Sequence, residues 1–148
     1  MIIKKESLMR KDDGWTYMET LIVIAIILIL TATVGFMAIN NLEKARNAAA
    51  KTQIESFCTA LEAYYIDCGT YPSLEQGLSA LRKKPEVYPI SNNWSGPYLY
   101  KDPPKDPWGF EYEYLMPGPE GNAYGIRSYG ADGIEGGDGK NQDITSWN

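Results

Sequence analysis

Residues 15–39 read WTYMETLIVIAIILILTATVGFMAI, and the 19 residues Leu21–Ile39 within them hold no charge and no proline. As a helix they would extend about 28 Å, close to the apolar thickness of a bilayer. A chain of 148 residues has too little additional mass to bury such a segment on every side, so a single membrane-spanning helix is expected. A secretory signal peptide competes for this reading. Its apolar region, however, is shorter and ends at a small-residue cleavage site, and no convincing A-x-A follows here. Lys4, Lys5, Arg10 and Lys11 precede the span and favour a cytoplasmic N-terminus, although Lys44, Arg46 and Lys51 soon after it weaken that asymmetry.

Whole-chain averages conceal this segment. Hydrophobic residues make up 44% and the mean hydropathy is -0.34, values ordinary for a soluble protein. A net charge of -5 argues against binding a nucleic-acid backbone, because Arg82-Lys83-Lys84 is the only basic cluster. Histidine is absent, which removes Ser-His-Asp and Cys-His catalysis and His-ligated zinc or haem. Paired acids such as Glu111 and Glu113 share one strand face and read as solvated, so no enzyme is expected.

Downstream of the span the chain stays free of Pro and Gly until Gly69. Ile54, Phe57, Cys58, Leu61, Tyr64 and Tyr65 fall on one helical face. The helix is therefore expected to run from Trp15 to Cys68, with 15–39 as anchor, 40–68 as an amphipathic half, and Gly69 as its C-cap. Gly35 and Thr31-Ala32-Thr33 are its weakest positions. Cys58 and Cys68 lie ten apart, roughly 15 Å along a helix, beyond disulfide reach. Residues 69–148 read as a small head. A short helix is expected over Leu74–Leu81, and short strands at Tyr98-Leu99, 110–115 and 123–129. Asp106-Pro107-Trp108-Gly109 reads as a turn.

Glu19 lies inside the apolar start, where an unpaired carboxylate is costly. It either snorkels to the headgroups or meets a positive charge on another chain. The amine released on Trp15 by a cut after Gly14, carried by a staggered neighbour, would supply that charge.

Gly14 followed by Trp15-Thr16-Tyr17-Met18-Glu19 and the apolar run resembles the N-terminal signal of type IV pilins and pseudopilins. The resemblance implies a leader peptide, 1–14, removed after Gly14 by prepilin peptidase, N-methylation of Trp15, and Glu19 as the assembly residue. The family usually has Phe where Trp15 stands, and a basic residue where Asp12-Asp13 precede the glycine. Tyr71-Pro72, Glu75-Gln76-Gly77-Leu78, Gly96-Pro97-Tyr98-Leu99, Asp106-Pro107-Trp108-Gly109 and Pro117-Gly118 together are similar to the major pseudopilins of type II secretion systems. The implied fold is α+β and type IV pilin-like, with the long helix packed on a small antiparallel sheet. The implied role is a structural subunit of a periplasmic fibre that helps export folded proteins. Its partners would be copies of itself, minor pseudopilins and the inner-membrane assembly platform, with the C-terminal head in the periplasm. A surface type IV pilin is the alternative, disfavoured because no cysteine follows Cys68 to close a C-terminal disulfide loop.

The segment 128–144 carries four acids, one lysine and a run of glycines. Composition leaves two readings open, a solvated acidic loop and a calcium site of hard oxygen ligands. It is not an EF-hand, since Ile134 and Gly136 stand where ligands would be needed. The resemblance implies the second reading, with Ser128, Gly130, Asp132, Gly133, Asp143 and Ile144 matching the family's loop. Asp132 and Asp143 would bind Ca2+ through their side chains and backbone carbonyls near Tyr129 and Ile134 would complete the shell. Asp138 stands as a third candidate, and Gln142 occupies a position where relatives often carry an acid. Loss of the leader, with four basic and three acidic residues, takes the net charge from -5 to -6.

Overall fold

The computed structural model describes residues 16–148; Gly14, Trp15 and the leader lie outside them. The principal helix, α1, spans Tyr17–Cys68, and the chain divides at Asn40/Asn41 into two compact units.

In the first unit the helix is unbroken through Thr31–Gly35, the stretch expected to be weakest. The threonine hydroxyls bond back to their own helix, Thr31 to the Ile27 carbonyl at 2.7 Å and Thr33 to the Leu30 carbonyl at 2.8 Å. Neither of these two hydroxyls is left open toward an apolar surrounding. Large apolar side chains such as Ile22, Ile26, Leu28, Leu30, Val34 and Ile39 are exposed, and this is the one helix among the described residues long and apolar enough to cross a membrane. Its start carries a feature not anticipated from the sequence. The Glu19 amide donates to the Thr16 hydroxyl at 3.3 Å, and the Thr16 amide donates to the Glu19 carboxylate at 3.5 Å. This reciprocal pair is a capping box that satisfies two of the helix's open donors. It gives Glu19 a partner on its own chain besides the two environments considered above.

The second unit is built on the other half of α1. Ile54, Phe57, Leu61 and Tyr64 are buried there, as their spacing required, whereas Tyr65 is half exposed and stacks on Tyr71 at 4.7 Å. Gly69, at φ +73°, ends the helix, its amide donating to the Tyr65 carbonyl at 2.8 Å. That left-handed conformation strains any residue with a Cβ. Cys58 and Cys68 are free thiols packed against the core.

Leu74–Leu81 is not one helix. Gly77 takes φ +56° and separates an initial turn from a 3-10 helix over Leu78–Leu81, leaving Leu74 outside the core. Buried Gln76 organises the turn: its carbonyl oxygen accepts from the Ser73 amide, and its Nε2 donates to the Val87 and Pro89 carbonyls at 2.6 and 2.8 Å. Tyr98 and Leu99 form no strand, because both their amides converge on the Leu81 carbonyl instead of entering a ladder. Asp67, at the end of α1, accepts the hydroxyls of Ser95 and of Tyr98 and ties this segment down.

The sheet has three antiparallel strands in the order β1 (Glu113–Leu115), β2 (Gly125–Ser128), β3 (Ile144–Thr145). Tyr112 and Tyr114 face the core as their alternation predicts, Tyr112 meeting Phe57 edge-on at 5.2 Å. Phe110 is excluded from the strand because its carbonyl accepts the Asp106 amide at 2.7 Å, closing the turn. β3 begins at the last residue of the stretch read as loop, 128–144, where no strand is expected from the sequence.

Burial, together with the nearby Asp106 charge, pushes the Tyr112 phenol up to about 12, and burial above all raises Tyr64 to about 12. An unfolded chain ionises near pH 10, so these tyrosines favour the fold below pH 10 and lose that contribution as the pH rises to 12. Thermal melts of the full chain in detergent should therefore hold steady from pH 7 to 9 and fall steeply between pH 10 and 12. Tyr112→Phe should flatten the fall, and an unchanged slope would contradict this account.

Candidate functional site

The C-terminal loop leaves the sheet at Ser128 and returns at Ile144, whose register partners are each other. Its base is pinned by a residue whose role the sequence did not disclose. Asp106, a buried carboxylate, accepts the Ser128 hydroxyl at 2.6 Å and the amides of Trp108 and Phe110 at 3.1 and 2.8 Å. Asp-Pro-Trp-Gly is thus more than a turn, since one carboxylate locks it to the end of β2. The signal available was an Asp at the first position of a turn, which commonly accepts from backbone amides two residues on.

Within the loop the backbone doubles back tightly. The Ala131 amide donates to the Lys140 carbonyl at 3.1 Å, and the Asn141 amide to the Asp138 carbonyl at 3.2 Å. Gly130, at φ +66°, lies so close to the returning chain that a Cβ would stand 2.9 Å from the Gln142 carbonyl oxygen.

The candidate ligands are placed as follows. Asp132 accepts the Ile134 amide at 3.2 Å, a local turn, and the Ile134 side chain is exposed. Asp138 is exposed and lies at the N-cap of a short 3-10 helix, Gly139–Asn141. One oxygen of Asp143, Oδ2, accepts the Gly136 amide at 3.0 Å. Its other oxygen, Oδ1, is buried with no hydrogen-bond partner, as is the neighbouring Thr145 hydroxyl. A buried carboxylate oxygen without a partner is costly, and both residues line a cavity of about 380 Å³ with Asn47, Lys51 and Gln142. Among the described residues no three acidic, histidine or cysteine side chains converge as a metal-binding group. A cation here would rest on two carboxylates and backbone carbonyls. The donors are hard oxygens and one is unsatisfied, so the residues fit a calcium ion.

Arg127 on β2 is a second residue at this loop that the sequence pattern does not single out. Its guanidinium takes the Glu113 carboxylate through Nε at 2.9 Å and Nη2 at 2.7 Å, and Glu135 through Nη1 at 2.5 Å. It lies 3.7 Å from Asp143 and over the Tyr129 ring at 4.6 Å. Burial works against its charge, but the hydrogen bonds it donates to Glu135 and then to Glu113 outweigh that and hold its pKa above the usual arginine value. Glu113, expected on a wet face, is therefore half-buried in an ion pair. The pair Glu113–Arg127 is a directly opposed cross-strand couple, legible only once the register is known.

Comparison with known proteins places these features in a family. The family model for protein G of the type II secretion system matches residues 37–147. The type II secretion system core protein G of Pseudomonas aeruginosa is 40% identical over 138 residues, covering 93% of this chain and 96% of the relative. The protein of the same name from Vibrio cholerae is 42% identical over 140 residues, covering 95% and 94%. The crystal structure of the major pseudopilin from the type 2 secretion system of enterohaemorrhagic Escherichia coli superposes with a TM-score of 0.63 at 34% identity, over 74% of this chain and 92% of that one.

Replacing Asp106 by Ala would leave the Ser128 hydroxyl and two amides without their acceptor. The expected loss is about 2–4 kcal/mol of unfolding free energy in urea titrations of the detergent-solubilised chain. A change below about 0.5 kcal/mol, the scale of an ordinary surface substitution, would show that the turn holds without the carboxylate.

Proposed function

The chain belongs to the type II secretion system protein G family, and on that premise we propose that it is the major structural subunit of the secretion pseudopilus. The observation that carries the reading is an exposed apolar helix joined to a family-matched head. Such a helix needs a covering. Lipid supplies it before assembly and neighbouring copies supply it in the fibre.

In this reading residues 1–14 are removed by prepilin peptidase after Gly14 and the new N-terminus at Trp15 is methylated. The chain then waits in the inner membrane with its head in the periplasm. Glu19 pairs with the Trp15 amine of a subunit already in the fibre, leaving its bond to the Thr16 amide to do so. Minor pseudopilins and the inner-membrane assembly platform are the further partners, and the growing fibre helps move folded proteins across the outer membrane. The subunit does no chemistry of its own.

Deleting the coding sequence in its host should abolish release of the exported proteins while leaving surface pili in place, and the wild-type chain should restore release. Glu19→Ala should insert into the membrane normally but give no fibre in shear fractions and no rescue. Loss of surface pili with secretion intact would instead identify a surface pilin.

The C-terminal loop is read as the site of one structural calcium ion. Asp132 and Asp143 are the side-chain ligands, carbonyls near Tyr129 and Ile134 are the backbone ligands, and Asp138 is a further candidate. When bound, the ion supplies a cross-link between the two ends of the loop, which a head without a disulfide otherwise lacks. Calcium at 100 times its dissociation constant would add about 2.7 kcal/mol, roughly 10 °C or more in melting temperature for a head of this size. Melts of the full chain in detergent with calcium and with chelator should differ by that amount. Coincident melts would leave a solvated acidic loop.

A further inference from the structure

We propose that Arg127 is the resident counter-cation of the C-terminal loop, competing with a bound divalent cation for the same carboxylate and thereby limiting how tightly the loop holds calcium. The inference rests on the calcium reading above.

Geometry confines the guanidinium to this place. Arg127 stands opposite Glu113 in the β1–β2 ladder, and Nε and Nη2 both donate to Glu113 Oε2. Nη2 also donates to the Tyr129 hydroxyl at 3.0 Å, and the side chain is only 13% exposed. It is fastened on the strand side, so it has no room to swing away. Its remaining face points to the loop, with Nη1 2.5 Å from Glu135 and 3.7 Å from Asp143 Oδ2.

Asp143 is therefore the shared group. Oδ2 lies toward the guanidinium and the Gly136 amide, while Oδ1 is buried and unpaired. A divalent cation accepting Oδ1 would place a second positive charge on a carboxylate that already answers to Arg127. An arginine cannot shed its proton to make room. Two cations on one carboxylate repel, more strongly in a half-buried site than in water.

Arg127 could instead help the ion by holding the loop in shape, and the contacts argue against this. Its direct bond to the loop is to Glu135, whose side chain is 72% exposed, and exposed ion pairs contribute little. The loop carries its own fastenings, Gly136 to Asp143, Ala131 to Lys140 and Ile134 to Asp132, none of which uses the guanidinium. Removing the charge takes away repulsion and leaves these in place. Glu113 acts in the opposite direction. It absorbs part of the guanidinium's charge from the strand side, so neutralising it leaves more of that charge bearing on Asp143.

Equilibrium dialysis of the full chain in detergent micelles against radioactive calcium, at low ionic strength, reads both effects. Arg127→Met, which keeps the stem and loses the charge, should bind calcium roughly five- to tenfold more tightly. Arg127→Lys should return to within about twofold of wild type, and Glu113→Gln should bind severalfold more weakly, because both keep the strand's positive charge. A purely structural brace would make Arg127→Met weaker or leave it unchanged, and either result overturns the inference. If Arg127→Met does not fold, Glu113→Gln carries the test, and unchanged or tighter binding by it overturns the inference. Wild-type chain that binds no calcium would overturn the calcium reading itself, a failure distinguishable from the others.

Discussion

Burial of Ile54, Phe57, Leu61 and Tyr64 along one stripe of α1 is the constraint on which the head depends. Three short strands of two to four residues cannot stand alone, since an isolated small sheet is marginal in water. They become stable by laying Tyr112, Tyr114 and Ile126 against that stripe. The tyrosine hydroxyls of this packing find partners, Tyr114 inside on the Pro72 carbonyl at 2.8 Å, and Tyr71 and Tyr124 at the surface on Glu62 at 3.0 and 3.2 Å. Tyr64, Tyr112 and Tyr114 lie in the core, and no tyrosine oxygen among the described residues is buried without a partner.

The loop depends on the sheet in turn. Asp106 fixes the end of β2 at Ser128, β3 brings the chain back at Ile144, and Arg127 stands between them facing the acids. Charge is thus balanced on the strand side by a fixed guanidinium and left unbalanced at one buried oxygen of Asp143. An assembly subunit has reason to carry such an arrangement. In the proposed calcium reading, a bound cation would clasp the end of the chain and tie the integrity of the head to the ionic conditions around it.

Much of this was legible in the residues. An uncharged run of 19 residues announces a helix long and apolar enough to cross a membrane, and the stripe from Ile54 to Tyr64 with Gly69 behind it announces a buried helical face and its end. The alternation at Tyr112 and Tyr114 showed which side of β1 is dry. What the residues did not disclose depends on register or on long-range bonds. Arg127 looks like an ordinary strand arginine until the ladder sets it opposite Glu113. Asp106 looks like a turn former until Ser128 arrives 22 positions later in the chain. Leu78–Leu81 winds tightly because Gly77 interrupts the turn before it, and β3 is too short for any periodicity to be visible. Glu19 is the instructive case: a search for a distant partner overlooked Thr16, three residues away.

The central claim is that the stripe of α1 and the sheet are one cooperative unit on which the C-terminal loop leans. Hydrogen exchange of the full chain in detergent micelles, followed by mass spectrometry under native conditions, tests it most directly. Amides of residues 54–64 and of β2 should be the slowest in the head and should exchange together, with the free energy of global unfolding, while residues 130–142 exchange earlier. Fast exchange of β2 with residues 54–64 still protected would contradict the claim, because the helix would then be holding no sheet.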